Sequence, residues 1–225
     1  MVENGTWVEQ ECPSNRESLT GKWVFKIKRG AAGEILWYKA RWVVRGFEQQ
    51  YGLDFHETFA SVVKPMSYKA IFAIAAAYDW EIKQMDVKTA FLYGDIEEDI
   101  WIELPTGCGV SRTAKLKKAL YGLKQAPRVW YNTLATFLSS LGFQPLDADS
   151  SVFCRDGVII AIYVDDLLLA GASKPDIDKI KDSLKQRFKM SDLGACHFYL
   201  GIEVIRDRPR HTLRLSQTAY LHKVL

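Results

Sequence analysis

The stretch Val158-Ile159-Ile160-Ala161-Ile162-Tyr163-Val164-Asp165-Asp166-Leu167-Leu168-Leu169-Ala170 decides how this chain is read. Two aliphatic runs flank a pair of adjacent acids, with turn residues outside them: Asp156-Gly157 before and Gly171 after. β-Branched and aliphatic runs bounded in this way predict the two strands of a hairpin, with the acids at its tip. Acids favour turns for local reasons. Two like charges beside an apolar core, however, repel each other and lose hydration, so they either take up a proton or are neutralised by cations.

A third acid is delivered in the same way. Glu81-Ile82-Lys83-Gln84-Met85-Asp86-Val87 is apolar at Ile82, Met85 and Val87 and predicts a short strand carrying Asp86 near its C-terminal end. Mg²⁺ takes oxygen ligands and typically pairs one or two carboxylates with substrate phosphates. Two such ions, about 3.5–4 Å apart, stabilise the attacking and leaving oxygens of an in-line phosphoryl displacement. One aspartate from a strand and two from a hairpin tip are the arrangement this requires.

With 225 residues, 48% of them hydrophobic, the chain is long enough for a sizeable core. No apolar run is long enough to span a membrane, and Met1–Asn15 lacks the pattern of a signal peptide, so a soluble, intracellular protein is expected. The four cysteines and four histidines are scattered without a C-x-x-C pair, which argues against zinc and against a disulfide framework. The net charge is only +3, but its distribution is uneven. Lys22, Lys26, Lys28, Arg29, Lys39, Arg41 and Arg45 face a single acid, Glu34. Arg112, Lys115, Lys117, Lys118, Lys124 and Arg128 lie in an acid-free stretch between Glu103 and Asp147. Two basic segments around an acidic centre suit a polyanion held against metal-binding carboxylates.

Trp23–Lys28 and Ile35–Val44 predict a long hairpin across a Gly-containing loop, with Lys39, Arg41 and Arg45 sharing one parity. Helices are expected at Ser67–Tyr78, after Pro65, at Pro127–Leu141, closed by Gly142, and at Lys174–Phe188. Ile100–Leu104 reads as a short strand. His197–Arg206 and Thr212–Leu215 read as a second hairpin, after which Ser216 caps a final helix. Trp37, Trp42 and Trp130 read as buried in a core or interface, and Asp95, Glu97, Glu98 and Asp99 as a solvated loop. Helices mixed with hairpins predict an α+β fold, a sheet with helices on one face.

The residues also carry a family likeness. Tyr163-Val164-Asp165-Asp166 resembles the Tyr-x-Asp-Asp box of reverse transcriptases, and Gln84-Met85-Asp86-Val87-Lys88-Thr89-Ala90-Phe91-Leu92 the box holding their first catalytic aspartate. Lys22–Lys28, Lys39-Ala40-Arg41, Val44–Phe47, Tyr121–Arg128 and Leu200-Gly201-Ile202-Glu203-Val204 extend the resemblance in the family's order over nearly the whole chain. The wording is closest to copia-type long-terminal-repeat retrotransposons.

The resemblance implies a right-hand polymerase with fingers and palm, an antiparallel palm sheet and a truncated thumb. Residues 1–225 would form a single core, with fingers at 1–80 and about 105–135, palm at 81–104 and about 136–215, and the start of the thumb at 216–225. It further implies RNA-directed DNA synthesis on a primed RNA or DNA template from deoxynucleoside triphosphates, with two Mg²⁺ ions for which Mn²⁺ can substitute. Asp86, Asp165 and Asp166 would be catalytic and, with the carbonyl of Val87, would ligate metal. Lys28, Arg29, Lys39, Arg41, Phe91, Tyr121 and Gly122 would surround the nucleotide, the Phe91 ring excluding a ribose 2′-hydroxyl. Tyr163, Val164, Lys124, Arg128, Leu200 and Gly201 would lie along the primer and template. The expected setting is a polyprotein with integrase upstream and RNase H downstream, in a cytoplasmic virus-like particle or the nucleus, away from membranes.

Two rival readings use the same acids. A two-metal nuclease would need a residue to activate water, and no histidine lies near either acidic motif. An inactive nucleic-acid-binding remnant would bind template–primer without incorporating nucleotides.

Overall fold

A computed structural model describes residues 4–29, 34–109 and 111–225, leaving aside the side chains of Arg29, Ala219 and Lys223. In chain order the elements are β1 (Trp7–Glu9), β2 (Gly21–Arg29), β3 (Ile35–Val44), α1 (Pro65–Ala77), β4 (Glu81–Val87), β5 (Trp101–Glu103), β6 (Thr113–Leu116) and α2 (Ala126–Ser140). There follow β7 (Gln144–Leu146), β8 (Asp149–Arg155), β9 (Val158–Tyr163), β10 (Asp166–Gly171), α3 (Lys174–Arg187), β11 (Met190–Ala195), β12 (Phe198–Tyr199), β13 (Ile202–Asp207), β14 (Thr212–Ser216) and α4 (Thr218–Val224). The fold mixes helices with antiparallel sheets. It divides into two compact units, 1–60 with 90–133 and 61–89 with 134–225, the last boundary falling within α2.

In the first unit, β2 and β3 pair over nearly their full length, Gly21 opposite Val44 and Lys28 opposite Trp37. A separate small sheet runs β1-β6-β5. Leu19, Trp42, Val44, Ile100, Ile102, Leu116, Leu120 and Leu123 form this unit's core. Trp42 and Trp130 are buried as expected, but Trp37 is 54% exposed, because the outer half of the β2–β3 hairpin has nothing packed on it among the described residues. The acidic loop is also less simply solvated than expected: Asp99 pairs with Lys115 and with Arg16, at 3.5 Å from the latter's Nε.

The second unit is built on a six-stranded sheet ordered β11-β4-β10-β9-β8-β7. Helix α1 starts with Pro65 in its first turn, where a missing N–H does no harm. It buries Tyr68, Ile71, Phe72 and Ala75, one helical stripe, against Ile82, Ala161, Leu168 and Ala170 of the sheet. Tyr199 and Val204, from the β12-β13-β14 sheet, complete that core. Residues of the other parity, Met85, Ile160, Ile162, Leu167 and Leu169, are equally buried but stand outside this cluster. The sheet is therefore covered on both faces, not on one as the sequence suggests.

Ser173 caps α3 by accepting the Asp176 N–H, and Lys185 and Arg187 sit in its last turn, favourable to the helix dipole. The cap of α4 is Gln217, not Ser216, whose hydroxyl instead accepts the Thr218 N–H at 3.3 Å. Leu200-Gly201 interrupts the second predicted hairpin as a turn between β12 and β13, with φ of +50° and +82°.

Candidate active site

Strands β9 and β10 are joined by a two-residue turn, Val164-Asp165. Val164 has φ +55° and Asp165 does not share the positive φ, the pattern of a type II′ hairpin turn, which ordinarily takes glycine at this point. A β-branched residue in that region is strained by about 1–3 kcal/mol. The paired strands on either side hold it there.

Register then places the acids. Asp166 lies directly opposite Tyr163 on β9 and directly opposite Asp86 on β4, and Asp86 lies opposite Ser191 on β11. Opposed residues of an antiparallel pair share a face. Tyr163, Asp166, Asp86 and Ser191 thus form one row across four strands. Asp165 joins from the turn, its carbonyl accepting the Val87 N–H at 2.9 Å, which ties the hairpin tip to the end of β4. All three acids are partly buried, and Val87 is fully so.

Burial, foremost, pushes the Asp166 carboxyl above the usual carboxylate range; the charges of Asp165 and Asp86 add to it, and a hydrogen bond from Gln84 works the other way. Three like charges with one desolvated member form a set that gains from a cation. Their oxygens, with a nearby backbone carbonyl, are the donor type hard divalent ions prefer. The side chains do not close on one point: among the described residues no three His, Cys, Asp or Glu form a group that could hold an ion. Mutual repulsion opposes such closure by the protein alone.

Two neighbours of the acids escaped the sequence reading. Gln84 Nε2 donates to Asp166 Oδ1 at 3.5 Å, two residues before Asp86 on the same face of β4. Tyr199 is wholly buried against Tyr68 and Phe72, ring centroids 5.4 and 6.0 Å away, and its hydroxyl has no partner among the described residues. Alternation marked Gln84 only as polar, and nothing in the sequence marked Tyr199.

In the first unit the expected nucleotide-side residues divide. The register puts Lys22, Lys26, Lys28, Lys39 and Arg41 on one face of the β2–β3 hairpin, while Trp23, Phe25, Ile27, Tyr38 and Trp42 line the other. The Arg41 guanidinium lies over the Tyr121 ring, 5.1 Å from its centroid, and Phe91 meets Tyr121 edge-on at 4.8 Å. Gly122, at φ +99°, makes this approach feasible: a Cβ there would stand 1.9 Å from the Val44 carbonyl oxygen. Arg29 falls outside the described side chains. Lys124 and Arg128, expected along the primer–template path, have partners within the unit. Lys124 donates to the Gln49 carbonyl at 3.2 Å and covers the Phe55 ring at 4.5 Å, and Arg128 pairs with Glu57.

Comparison with known proteins gives a consistent picture. A family described as "Reverse transcriptase (RNA-dependent DNA polymerase)" matches residues 4–225. The Retrovirus-related Pol polyprotein from transposon TNT 1-94 of Nicotiana tabacum is 43% identical over 100% of the chain and 18% of that protein. The Retrovirus-related Pol polyprotein from transposon RE1 of Arabidopsis thaliana is 36% identical, again over 100% of the chain, and 16% of its own length is covered. The Transposon Ty1-GR1 Gag-Pol polyprotein of Saccharomyces cerevisiae is 28% identical over 94% of the chain and 12% of its length. The chain spans less than a fifth of these relatives.

Proposed function

Because the chain belongs to the reverse transcriptase (RNA-dependent DNA polymerase) family, of copia type, we propose that it extends a primer 3′-hydroxyl with deoxynucleotides on an RNA or DNA template, as the polymerase segment of a larger polyprotein. The observation that carries this reading is the direct opposition of Asp86 and Asp166 across β4 and β10, with Asp165 in the adjoining turn. On this reading the six-stranded unit is the palm and the first unit the fingers. Helix α1, grouped with the fingers by the sequence, then goes with the palm, since it packs on the sheet and the Val63 N–H bonds the Ile162 carbonyl at 2.8 Å.

In the reaction the primer hydroxyl oxygen bonds to the α-phosphorus, the bond from that phosphorus to the β-phosphate bridge breaks, and pyrophosphate leaves. Catalysis is largely positioning and neutralisation of charge. Asp86, Asp165 and Asp166, with the carbonyl of Val87, would hold two Mg²⁺ or Mn²⁺ ions, which when bound neutralise the phosphates and lower the pKa of the attacking hydroxyl. The chain's own part is to fix these oxygens by sheet register.

Lys28, Lys39 and Arg41 supply positive charge for the triphosphate from one hairpin face, Arg41 as a planar fork held by Tyr121 and Lys28 and Lys39 as point charges. Phe91, backed by Tyr121, acts as the ring that rejects a 2′-hydroxyl. Tyr163, Val164, Leu200 and Gly201 attend the primer end.

Mg²⁺-dependent primer extension on an RNA template, with Asp86→Ala and Asp165→Ala alongside, tests the reading. Extension by the wild type that both variants lose is the expected result. Strand cleavage instead of extension, or template–primer binding with no incorporation, would replace it with the nuclease or the remnant.

A further inference from the structure

The β12-β13-β14 sheet packs on α1 through Tyr199 and Val204, and its far end is fastened by polar contacts at the corner where α1 turns into β4. Arg206 of β13 fills that corner. Its guanidinium donates to the Trp80 carbonyl, to the Ala75 carbonyl at 3.0 Å and to Asp79 Oδ1 at 2.9 Å, and its side chain is only 17% exposed. Ala75 is in the last turn of α1, where its carbonyl also accepts the Trp80 N–H at 3.0 Å, and Asp79 sits at φ +53°, so the corner is a bent backbone to which Arg206 adds further donors. Arg208 adds an outer link to Asp79 and Glu81 but is 43% exposed.

Two arms leave this corner. Along β4, Asp86 lies six residues beyond Trp80; along β13, Gly201 lies five residues before Arg206. At about 3.3 Å per residue, both arms run roughly 15–20 Å. They end on the same side of the unit: Tyr199, next to the Leu200-Gly201 turn, packs on Tyr68 in the first turns of α1, and Val63 just ahead of that helix bonds Ile162 beside the hairpin tip. The opposite end of α1 is the one Arg206 holds.

We propose that Arg206 is a positioning residue, locking the β12–β13 turn in register with Asp86, Asp165 and Asp166 so that a primer end resting on the turn meets the acids. The proposal rests on the polymerase reading above. Arg206 touches neither primer nor metal and acts through the corner.

The test is single-turnover incorporation on an RNA template by the full chain, reading burst amplitude and rate constant separately, for wild type, Arg206→Met, Arg206→Lys and Arg208→Ala. Arg206→Met is expected to lower the rate constant per active site roughly tenfold or more, since ångström-scale misplacement of reacting groups has effects of that order. Its deoxynucleotide KM should stay near the wild-type value. Arg206→Lys should recover part of the rate, and Arg208→Ala should leave it within about twofold, as for an exposed pair. A merely structural role would lower the amplitude and leave the rate constant of the surviving sites unchanged, and that result overturns the proposal. Loss of rate in Arg208→Ala equal to that in Arg206→Met also overturns it. A wild type that does not extend primers defeats the polymerase reading itself, and the proposal with it.

Discussion

Gln84 reaches across from β4 to Asp166 on β10 with its side-chain amide, 3.5 Å from Oδ1, from a position 8% exposed. It is the neutral donor that offsets the crowding of Asp166 by burial and by Asp165 and Asp86. Gln84→Leu keeps the size but removes the donor, and is expected to lower the incorporation rate by about three- to tenfold, the bond being a long one. Gln84→Glu adds a fourth carboxylate beside the three acids and is expected to lower it further. Steady-state kcat for both variants, with thermal melts to confirm folding, checks the order.

Gly122 and Gly157 both have positive φ, +99° and +76°, but a Cβ at Gly122 would strike the Val44 carbonyl oxygen whereas nothing lies within 4 Å at Gly157. Gly122→Ala should destabilise the protein by about 3 kcal/mol or more, and Gly157→Ala by about 1 kcal/mol. Urea denaturation followed by tryptophan fluorescence measures both. Equal effects would mean that φ alone matters and the close approach does not.

Stability at low pH should depend on Asp192. Burial raises its pKa, but Lys181, the Gly194 N–H and Lys185 outweigh that and hold it at about 2. Lys181 lies 2.7 Å away and its side chain is only 10% exposed. A carboxyl depressed in the folded state contributes stability above its unfolded pKa of about 3.9 and loses it as the pH falls towards 2. The contribution is about 1–2 kcal/mol after allowing for solvent around the pair. Asp192→Asn should lower stability at pH 7 and flatten the decline between about pH 4 and 2 in acid titrations followed by circular dichroism.

Sugar discrimination should depend on Tyr121 as well as on Phe91. The two rings meet at 4.8 Å, so Tyr121 supports the ring proposed to exclude a 2′-hydroxyl. Phe91→Ala should raise ribonucleotide incorporation relative to deoxynucleotide by about tenfold or more, and Tyr121→Ala by a smaller factor in the same direction. Single-nucleotide competition assays on an RNA template give both ratios. No change with Tyr121→Ala would mean that Phe91 is held by other contacts.

The sequence revealed the acids because their signal is local: aliphatic runs around Asp165-Asp166 and alternation before Asp86 fix strand and turn without reference to the rest of the fold. The long β2–β3 hairpin was readable for the same reason. Strand β11, which borders β4, was not, because Met190–Ala195 neither alternates nor buries a face. The partial burial of Ser191 beside Asp86 therefore went unseen. Strands β1 and β6 are too short, at three and four residues, to carry a period. Gln84 and Arg206 look like ordinary polar strand residues until the register of β10 and the corner after α1 supply their partners. Lys124 and Arg128 show the reverse: basic residues in an acid-free stretch suggested a polyanion, but folding brings Gln49 and Glu57 to them.

The central claim is that Asp86, Asp165 and Asp166 act as one oxygen-donor set for divalent cations. Counting Mn²⁺ bound to a ternary complex of the chain, a dideoxy-terminated primer on RNA and the next deoxynucleotide, by electron paramagnetic resonance, tests it most directly. The account predicts two tightly held ions in the wild type and loss of tight binding in Asp86→Asn and Asp165→Asn, with template–primer affinity kept within about threefold. Unchanged Mn²⁺ stoichiometry and affinity in both variants would contradict it.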